Sequence, residues 1–471
     1  MRGDIHYTLR LLGLGFTLAR HDALFVFDLV RLPIYARAAL WIAKRSKRGV
    51  AKGVRLANAL QDMGPSFIKA GQALSTRADL IGADIAEGLI TLQDRLPAFD
   101  GAIAKEIIEE ELGDTIDNLF TWFEHDATAA ASIAQVHFAT TKEGKDVAVK
   151  VLRPHIEEAF ARDISLLYWI AFKVARRLPR LKPVEVVKTF EDTIRVELDL
   201  RFEAAAAEEL KQNTRNDPEF YVVEVDWVRT AKRVLTTERI RGFHASDKAG
   251  MEAAGIDTTK ITEKAATAFF NQVFRDGFFH ADMHPGNLFV LPDGRLAPVD
   301  FGIMGRIDHE NQLILAEILY GFLKGDYERV ARVHHDAGWI PPHVSVELFA
   351  QACRAVGQPM FGKALNEISV GALLGQLIHV AQMFEMETQP HLILLQKTMM
   401  TAEGVGRGLN PGVNMWQLAE PLITDWAHQN FSPRAKLKNL ACEALEVLQE
   451  APRVLKELRE YLKEVQARQA V

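Results

Sequence analysis

The sequence predicts an α+β protein of two lobes, a five-stranded lobe followed by a mostly helical one, with a helical extension in front. Three observations carry this. Strand-type alternation is concentrated between Leu119 and Ile240, with one short hairpin later. Apolar residues at helical spacing fill residues 1 to about 115 and again from Asp308 to about 430. The turn signals KEGK and PDG fall between short alternating runs. At 471 residues, 48% hydrophobic and 25% charged, the chain belongs to the ordinary globular class and can bury a core in more than one unit. The expected divisions are a helical extension at 1–115, a strand-rich lobe at 116–242, a helical lobe at 243–430 and charged helices at 431–471.

The extension is interrupted by the Gly64-Pro65 turn and holds no convincing strand. No acid occurs from Arg31 to Gln61, whereas Arg31, Arg37, Lys44, Arg45, Lys47, Arg48, Lys52 and Arg55 are all basic. Charge alone favours a solvated face; the alternative is a surface for anionic lipid. The N-terminus carries Asp4 and leads into no clean apolar core, so no secretory signal is expected. No stretch reaches 18 uninterrupted apolar residues, and ALFVFDLV is cut by Asp28 and Arg31, so the chain as given is not expected to span a membrane. Cys353 and Cys442 are far apart and lack a Cys/His cluster, which argues against a disulfide framework or structural zinc.

WFEHDATAAASIAQVHFATT and DVAVKVL, joined by KEGK, read as three antiparallel strands. Helices follow at about 155–178 and 183–213, the second opening at Pro183, where a helix tolerates proline. YVVEV and RVLTTERI supply two more strands. Residues 258–279 read as one amphipathic helix, and NLFV and LAPVDFG as a hairpin about PDG.

The chemistry is concentrated in FFHADMHPGNLFVLPDGRLAPVDFG, residues 278–302. His280, Asp282 and Asn287 keep the spacing of the kinase catalytic loop, with Met283 in its apolar position and Ala281 in place of its arginine. Phosphoryl transfer needs a carboxylate near the attacking oxygen, a role for Asp282, and hard oxygen ligands for Mg²⁺, a role for Asn287 and Asp300. The hairpin between Asn287 and Asp300 can return both to one place. DFG alone is a weak signal; the catalytic spacing, hairpin and DFG together are strong.

VAVK places Lys150 on a strand, where a lysine holds the α and β phosphates and pairs with a helix glutamate. The helix offers Glu191, Glu197, Asp199, Glu203 and Glu208, and position does not choose among them. Ala129, Ala130, Ala131 and Ser132 stand where a glycine-rich phosphate loop is expected; a Cβ at each position changes how closely backbone amides can approach phosphate. Glu238, in the last strand, completes the nucleotide-binding candidates.

Taken together, these motifs resemble the UbiB family of atypical kinases, also called aarF-domain-containing kinases and tied to ubiquinone (coenzyme Q) biosynthesis. The likeness runs from about residue 60 to 305: FIKAGQ as a KxGQ signature spanning Lys69 to Gln72, AAASIAQVH, VAVK, VELDLRFEA as an ExD signature at Glu197 and Asp199, HADMHPGN and VDFG. The resemblance implies an atypical protein-kinase-like fold, Glu203 as the partner of Lys150, and a KxGQ helix over the mouth of the site with Lys69 facing Glu197 and Asp199 as a gate. After Gly302 only IMGRIDHENQ precedes renewed helical periodicity and no APE motif follows, so a peptide-docking platform is not expected.

The function so implied is a Mg²⁺-dependent ATPase or atypical kinase supporting ubiquinone biosynthesis at the membrane, with ATP and Mg²⁺ as cofactors and no protein-kinase activity in trans. Expected partners are anionic membrane lipid, ubiquinone-biosynthesis enzymes or isoprenoid lipid intermediates, and a second copy through the N-terminal helices; no nucleic acid is expected. The expected location is the cytoplasmic face of the inner membrane, peripheral as given, because the C-terminal transmembrane pair of bacterial members is not visible. The alternatives are a soluble phosphotransferase of aminoglycoside or choline kinase type and a nucleotide-switched scaffold.

Overall fold

The computed structural model describes residues 2–29, 49–75, 81–90, 92, 96–176, 182–358, 390–410, 412 and 415–431, with positions 376, 380, 383, 384 and 386. Arg31, Arg37, Lys44, Arg45, Lys47 and Arg48 of the basic stripe, and the charged segment 432–471 with Cys442, lie outside the described residues. The chain forms two compact units. The first comprises Met1–Ala268, Phe278–Arg306 and Thr388–Val413; the second comprises Phe269–Gly277, Ile307–Glu387 and Asn414–Val471.

The N-terminal helices of the first unit are α1 (Arg2–Arg20), α2 (Lys52–Met63), α3 (Pro65–Ser75) and α4 (Ala83–Ile90). They share an apolar core that includes Leu18, Leu56, Leu60, Ile68 and Leu89. Gly64, at φ 101°, makes the turn, and Pro65 opens α3 where no amide hydrogen is needed. Lys52 is exposed, whereas Arg55 is drawn into an ion pair with Asp22.

Helix α5 (Gly101–Leu112) is capped by Asp100, which accepts the Ala102 N–H, and ends on left-handed Gly113; α6 (Ile116–Leu119) follows. The sheet consists of β1 (Phe120–Phe123), β2 (Ala129–Ala130), β3 (Ala134–Thr141), β4 (Asp146–Leu152) and β5 (Val234–Glu238), antiparallel in the order β1-β3-β4-β5 with β2 on β3. Alternation along β4 decides what each face meets. Val147, Val149 and Val151 join the core beneath α5, while Leu152 packs with α7 (Ile156–Ala175), α8 (Pro183–Glu197) and α9 (Leu200–Asn213). Lys150 shares the parity of Leu152.

The five strands are therefore not the five expected. YVVEV forms no strand: Tyr221 donates to the Leu296 carbonyl at 2.7 Å, whereas the Glu224 carbonyl accepts from Glu238 at 2.8 Å. It divides its pairing between two isolated bridges, Phe220 with Leu296 and Val225 with Thr237, and no ladder can propagate on either side. The short β2 makes up the number. The expected helix at 183–213 is also two helices, because Asp199 adopts an extended conformation and caps α9.

The remaining strands are β6 (Phe243–His244), β7 (Phe278–His280), β8 (Leu288–Val290), β9 (Leu296–Pro298) and β10 (Met304–Arg306). They build a three-stranded sheet β6-β8-β9 and a β7-β10 pair, so the expected hairpin about PDG is present as β8-β9. Helices α10 (Lys248–Ala253) and α11 (Thr258–Phe270) intervene. The helix expected over 258–279 stops as an α-helix at Phe270, widens into a π-helical turn at Asn271–Asp276 and reverses at Gly277, φ 63°. Beyond β10 lie α12 (His309–Lys324), α13 (Tyr327–Asp336), α14 (Val346–Gly357), α15 (Pro390–Leu409) and α16 (Met415–Phe431). Of these, α15 belongs to the first unit. In the second unit Val330, Phe349 and Cys353 are buried, and burial holds His334 neutral, down to about 4. Among the described residues no helix is long and apolar enough to cross a membrane.

Candidate active site

Lys150 is the centre of the site. Its Nζ lies 2.8 and 2.9 Å from the two carboxylate oxygens of Glu203 and 3.1 Å from Asp300 Oδ1. Helix α9 brings Glu203 there on its buried stripe, Leu200, Glu203, Ala204, Ala207 and Leu210. Among the five acids considered from the sequence, Glu203 alone occupies that stripe, and it is the partner the family resemblance implies. Glu197 is on α8, Asp199 is the cap, and Glu191 accepts the Tyr168 hydroxyl.

One ammonium thus serves two carboxylates. Burial pushes Glu203 up to about 7; Lys150 opposes that shift, and the charge of Asp300 adds to it. Desolvation pushes the Asp300 carboxyl up as well, but the charges of Lys150 and Lys69 and the Gly302 N–H outweigh it and hold the group below the ordinary carboxylate range. Lys150 is raised above the usual lysine value, its burial overcome by both acids. Asp300 is 45% exposed and stands at φ 67°, a left-handed conformation unusual for a residue with a Cβ.

The HADMHPGN loop is held from within. Buried His280 receives the Asp282 N–H on Nδ1 at 3.2 Å, so its proton is on Nε2, which donates to the Asp300 carbonyl at 2.9 Å. Burial lowers the His280 pKa and keeps it in this neutral form. One imidazole therefore fixes the loop of Asp282 against the turn of Asp300. Asn287 Nδ2 donates to the Asp282 carbonyl at 3.2 Å and approaches Asp282 Oδ2 at 3.4 Å; the amide oxygen has no bond to another described residue. The Asn287 carbonyl accepts the Val299 N–H at 2.8 Å, which closes the hairpin just before Asp300.

The alanine loop is a strand turn. Ala129 pairs with Val136, which pairs with Lys150, so hairpin and lysine lie in one row across the sheet. Ala130 pairs with Gln135, and Ser132 is fully buried. Arg153 fixes the tip, donating to the Ala131 carbonyl from Nε at 3.1 Å and from a terminal nitrogen at 2.8 Å, and to the Pro97 carbonyl at 2.9 Å. The Gln135 side chain brackets Phe99, accepting its N–H at 2.8 Å and donating to its carbonyl at 3.2 Å, and it also meets His137 Nε2 at 2.8 Å. The AQVH residues thus join the alanine hairpin to the segment leading into α5. Glu238, at the end of β5, accepts the Tyr221 hydroxyl at 2.5 Å.

Of the expected gate residues, Lys69 pairs with Glu197 at 2.9 Å, both largely buried. Asp199 is turned to Arg201, whose guanidinium holds it at 2.6 and 2.8 Å. Gly71 lets α3 lie close to its neighbours, since a Cβ there would come within 2.4 Å of Leu92 and 2.7 Å of Leu60. The Gln72 side chain is half-buried, and its amide has no hydrogen-bond partner among the described residues.

The sequence reading missed Lys397. It lies on α15, where apolar spacing marked only a helix, and its Nζ is 3.4 Å from Asp282 Oδ1. Its neighbour Thr398 is fully buried with its hydroxyl 3.1 Å from the Ala281 carbonyl. No local pattern announces a contact made across 115 residues of sequence.

A sheet that offers its lysine to a helix glutamate and to the aspartate behind a short hairpin makes this a protein of kinase-like fold. Comparison with known proteins narrows that class. Residues 91–334 match the ABC1 atypical kinase-like domain, and residues 353–414 match the UbiB helical domain. A Vibrio cholerae protein named "Probable protein kinase UbiB" is 45% identical over 438 residues, 91% of this chain and 80% of that one. One of the same name from Marinobacter nauticus is 43% identical over 410 residues, 86% and 75%. A Mycobacterium tuberculosis protein, Rv3197, solved in complex with erythromycin, is 26% identical with a TM-score of 0.54, over 77% of this chain and 93% of that one. The chain belongs to the UbiB family of atypical kinases, a family implicated in ubiquinone biosynthesis.

Proposed function

We propose that the protein binds ATP with Mg²⁺ and acts as an atypical kinase or ATPase supporting ubiquinone biosynthesis, peripherally at the cytoplasmic face of the inner membrane. The observation that carries the reading is the convergence of Lys150, Glu203 and Asp300, with Asp282 joined to the same turn through His280 and Asn287 joined to it through the Val299 N–H. The donor set fits a hard cation. Two carboxylates share one ammonium, Asp300 is open to solvent, and the Asn287 amide oxygen is available. Asn287 and Asp300 would hold Mg²⁺, whose charge would offset that of the phosphates.

In this reading Lys150 contacts the inner phosphates and Glu203 fixes its direction. Asp282 receives the proton of the attacking oxygen as that oxygen bonds to the terminal phosphorus and ADP leaves with the electron pair. Ala129–Ser132 cover the nucleotide, Glu238 borders it, and Lys69, Gln72, Glu197 and Asp199 belong to the gating region. The run from Asp300 through β10 directly to the Asp308 cap of α12 favours an acceptor other than a docked protein. Anionic lipid at the basic stripe, isoprenoid lipid intermediates or ubiquinone-biosynthesis enzymes, and a second copy are the partners of this reading.

The test is ATP turnover by the purified chain with Mg²⁺, with and without anionic vesicles. Turnover is expected to require Mg²⁺ and to fall about 100-fold or more in Asp282→Asn and Asp300→Asn. Failure to bind or turn over ATP in both conditions sinks the proposal; full activity of Asp300→Asn removes the metal role.

A further inference from the structure

We propose that Lys397 binds the terminal phosphate of the nucleotide, beside the carboxylate that receives the acceptor's proton. This rests on the preceding reading of the site. The two oxygens of Asp282 are divided between different partners, Oδ1 facing Lys397 Nζ at 3.4 Å and Oδ2 facing Asn287 Nδ2 at 3.4 Å. Lys397 and Asp282 are 26% and 28% exposed, so the pair is neither sealed in the core nor free on the surface.

The placement is built into the fold. Thr398, the next residue, is fully buried, and its hydroxyl bridges the Leu394 carbonyl at 2.8 Å and the Ala281 carbonyl at 3.1 Å. That contact fixes the rotation of α15 against the catalytic loop and with it the direction of Lys397. It is made at the position where the loop has alanine in place of arginine.

Charge leads to the same assignment. Lys150 is committed to Glu203 at 2.8 Å and Asp300 at 3.1 Å, and Lys69 to Glu197 at 2.9 Å. The loop HADMHPGN has no lysine or arginine, and His284 Nδ1 accepts the Gly286 N–H at 2.9 Å. Lys397 is the lysine that meets Asp282, and at 3.4 Å it is held more loosely than a close charge-assisted bond. During transfer the nonbridging oxygens of the terminal phosphoryl group carry their charge next to Asp282, where an oriented ammonium offsets it. ADP lacks that group, so the contact discriminates between the two nucleotides.

Calorimetric titration of the full chain with Mg²⁺ and either ADP or the nonhydrolysable ATP analogue AMP-PNP tests this. Lys397→Met is expected to weaken AMP-PNP binding about tenfold or more and ADP binding by less than about twofold, with Lys397→Arg retaining most of the AMP-PNP affinity. If the methionine variant does not fold, Lys397→Gln is read by the same ratio. Equal losses for both nucleotides, or no loss for AMP-PNP, overturn the assignment while leaving the ATP site intact. Wild-type protein that binds neither nucleotide overturns the ATP reading and this inference with it.

Discussion

Replacing Lys150 by methionine leaves two carboxylates facing each other without their shared ammonium. Glu203, 9% exposed, loses contacts of 2.8 and 2.9 Å, and Asp300 loses one of 3.1 Å. Deleting one member of a buried pair costs about 3–5 kcal/mol; the 45% exposure of Asp300 lets water recover part, which places Lys150→Met near the lower end, about 3 kcal/mol. Glu203→Gln removes the acid that burial already disfavours and leaves Lys150 with Asp300, a change of about 1 kcal/mol. The double variant is therefore expected to be more stable than Lys150→Met alone. The pH dependence follows from Glu203. Its folded pKa, about 7, lies above the ordinary carboxyl value, so its contribution is full below about 4.5 and is lost as pH rises through about 7. Without Lys150 the group is pushed further up, so the deficit of Lys150→Met is smaller at pH 6 than at pH 8. Thermal unfolding of the three variants at both pH values reads this, with a fall of about 3–4 °C for Lys150→Met at pH 8. A double variant less stable than Lys150→Met, or a deficit unchanged between pH 6 and 8, refutes the two-acid account.

Other perturbations test the scaffold. Gly305→Ala places a Cβ 2.2 Å from the ring of fully buried Phe279 and is expected to lower stability by about 2–3 kcal/mol, read by urea unfolding. Arg153→Lys keeps the charge but cannot span the Ala131 and Pro97 carbonyls; faster hydrogen exchange at the Ala131 amide, which donates to Ala134, is expected, with a loss of about 1–2 kcal/mol. Thr398→Val removes the bond to Ala281 and should narrow the AMP-PNP over ADP preference less than Lys397→Met does, measured in the same titration. Lys69→Met removes a charge that lowers the Asp300 pKa, so Asp300 protonates at higher pH and the acid limb of Mg²⁺-ATP binding should move upward in a pH series.

Local pattern revealed the parts of the site whose chemistry is written in contiguous residues. HADMHPGN, the PDG hairpin and DFG imply their own geometry, because a tight hairpin leaves few ways to arrange Asn287 and Asp300. YVVEV misled because β-branched residues fit any extended buried segment, whether or not it has a partner along its length. The sequence over 183–213 suggests one continuous helix because the acidic ExD run has good helix formers, while the Asp199 cap is a backbone event. The π-helical turn at Asn271–Asp276 keeps nearly helical apolar spacing and gives no separate signal.

The sequence alone determined which groups are available for phosphate chemistry and that a strand, a helix and a hairpin carry them. Position along the helix leaves five acids open, and the resemblance points to Glu203; its place on the buried stripe of α9 is a structural finding. Tertiary structure decided how many partners each charge has. Whether Lys150 meets one acid or two, whether Lys69 lies near enough to bias Asp300, and whether Lys397 reaches Asp282 depend on contacts between distant segments. Side-chain periodicity acts over a few residues, whereas Coulomb interaction depends only on distance in space and on the water excluded between the groups.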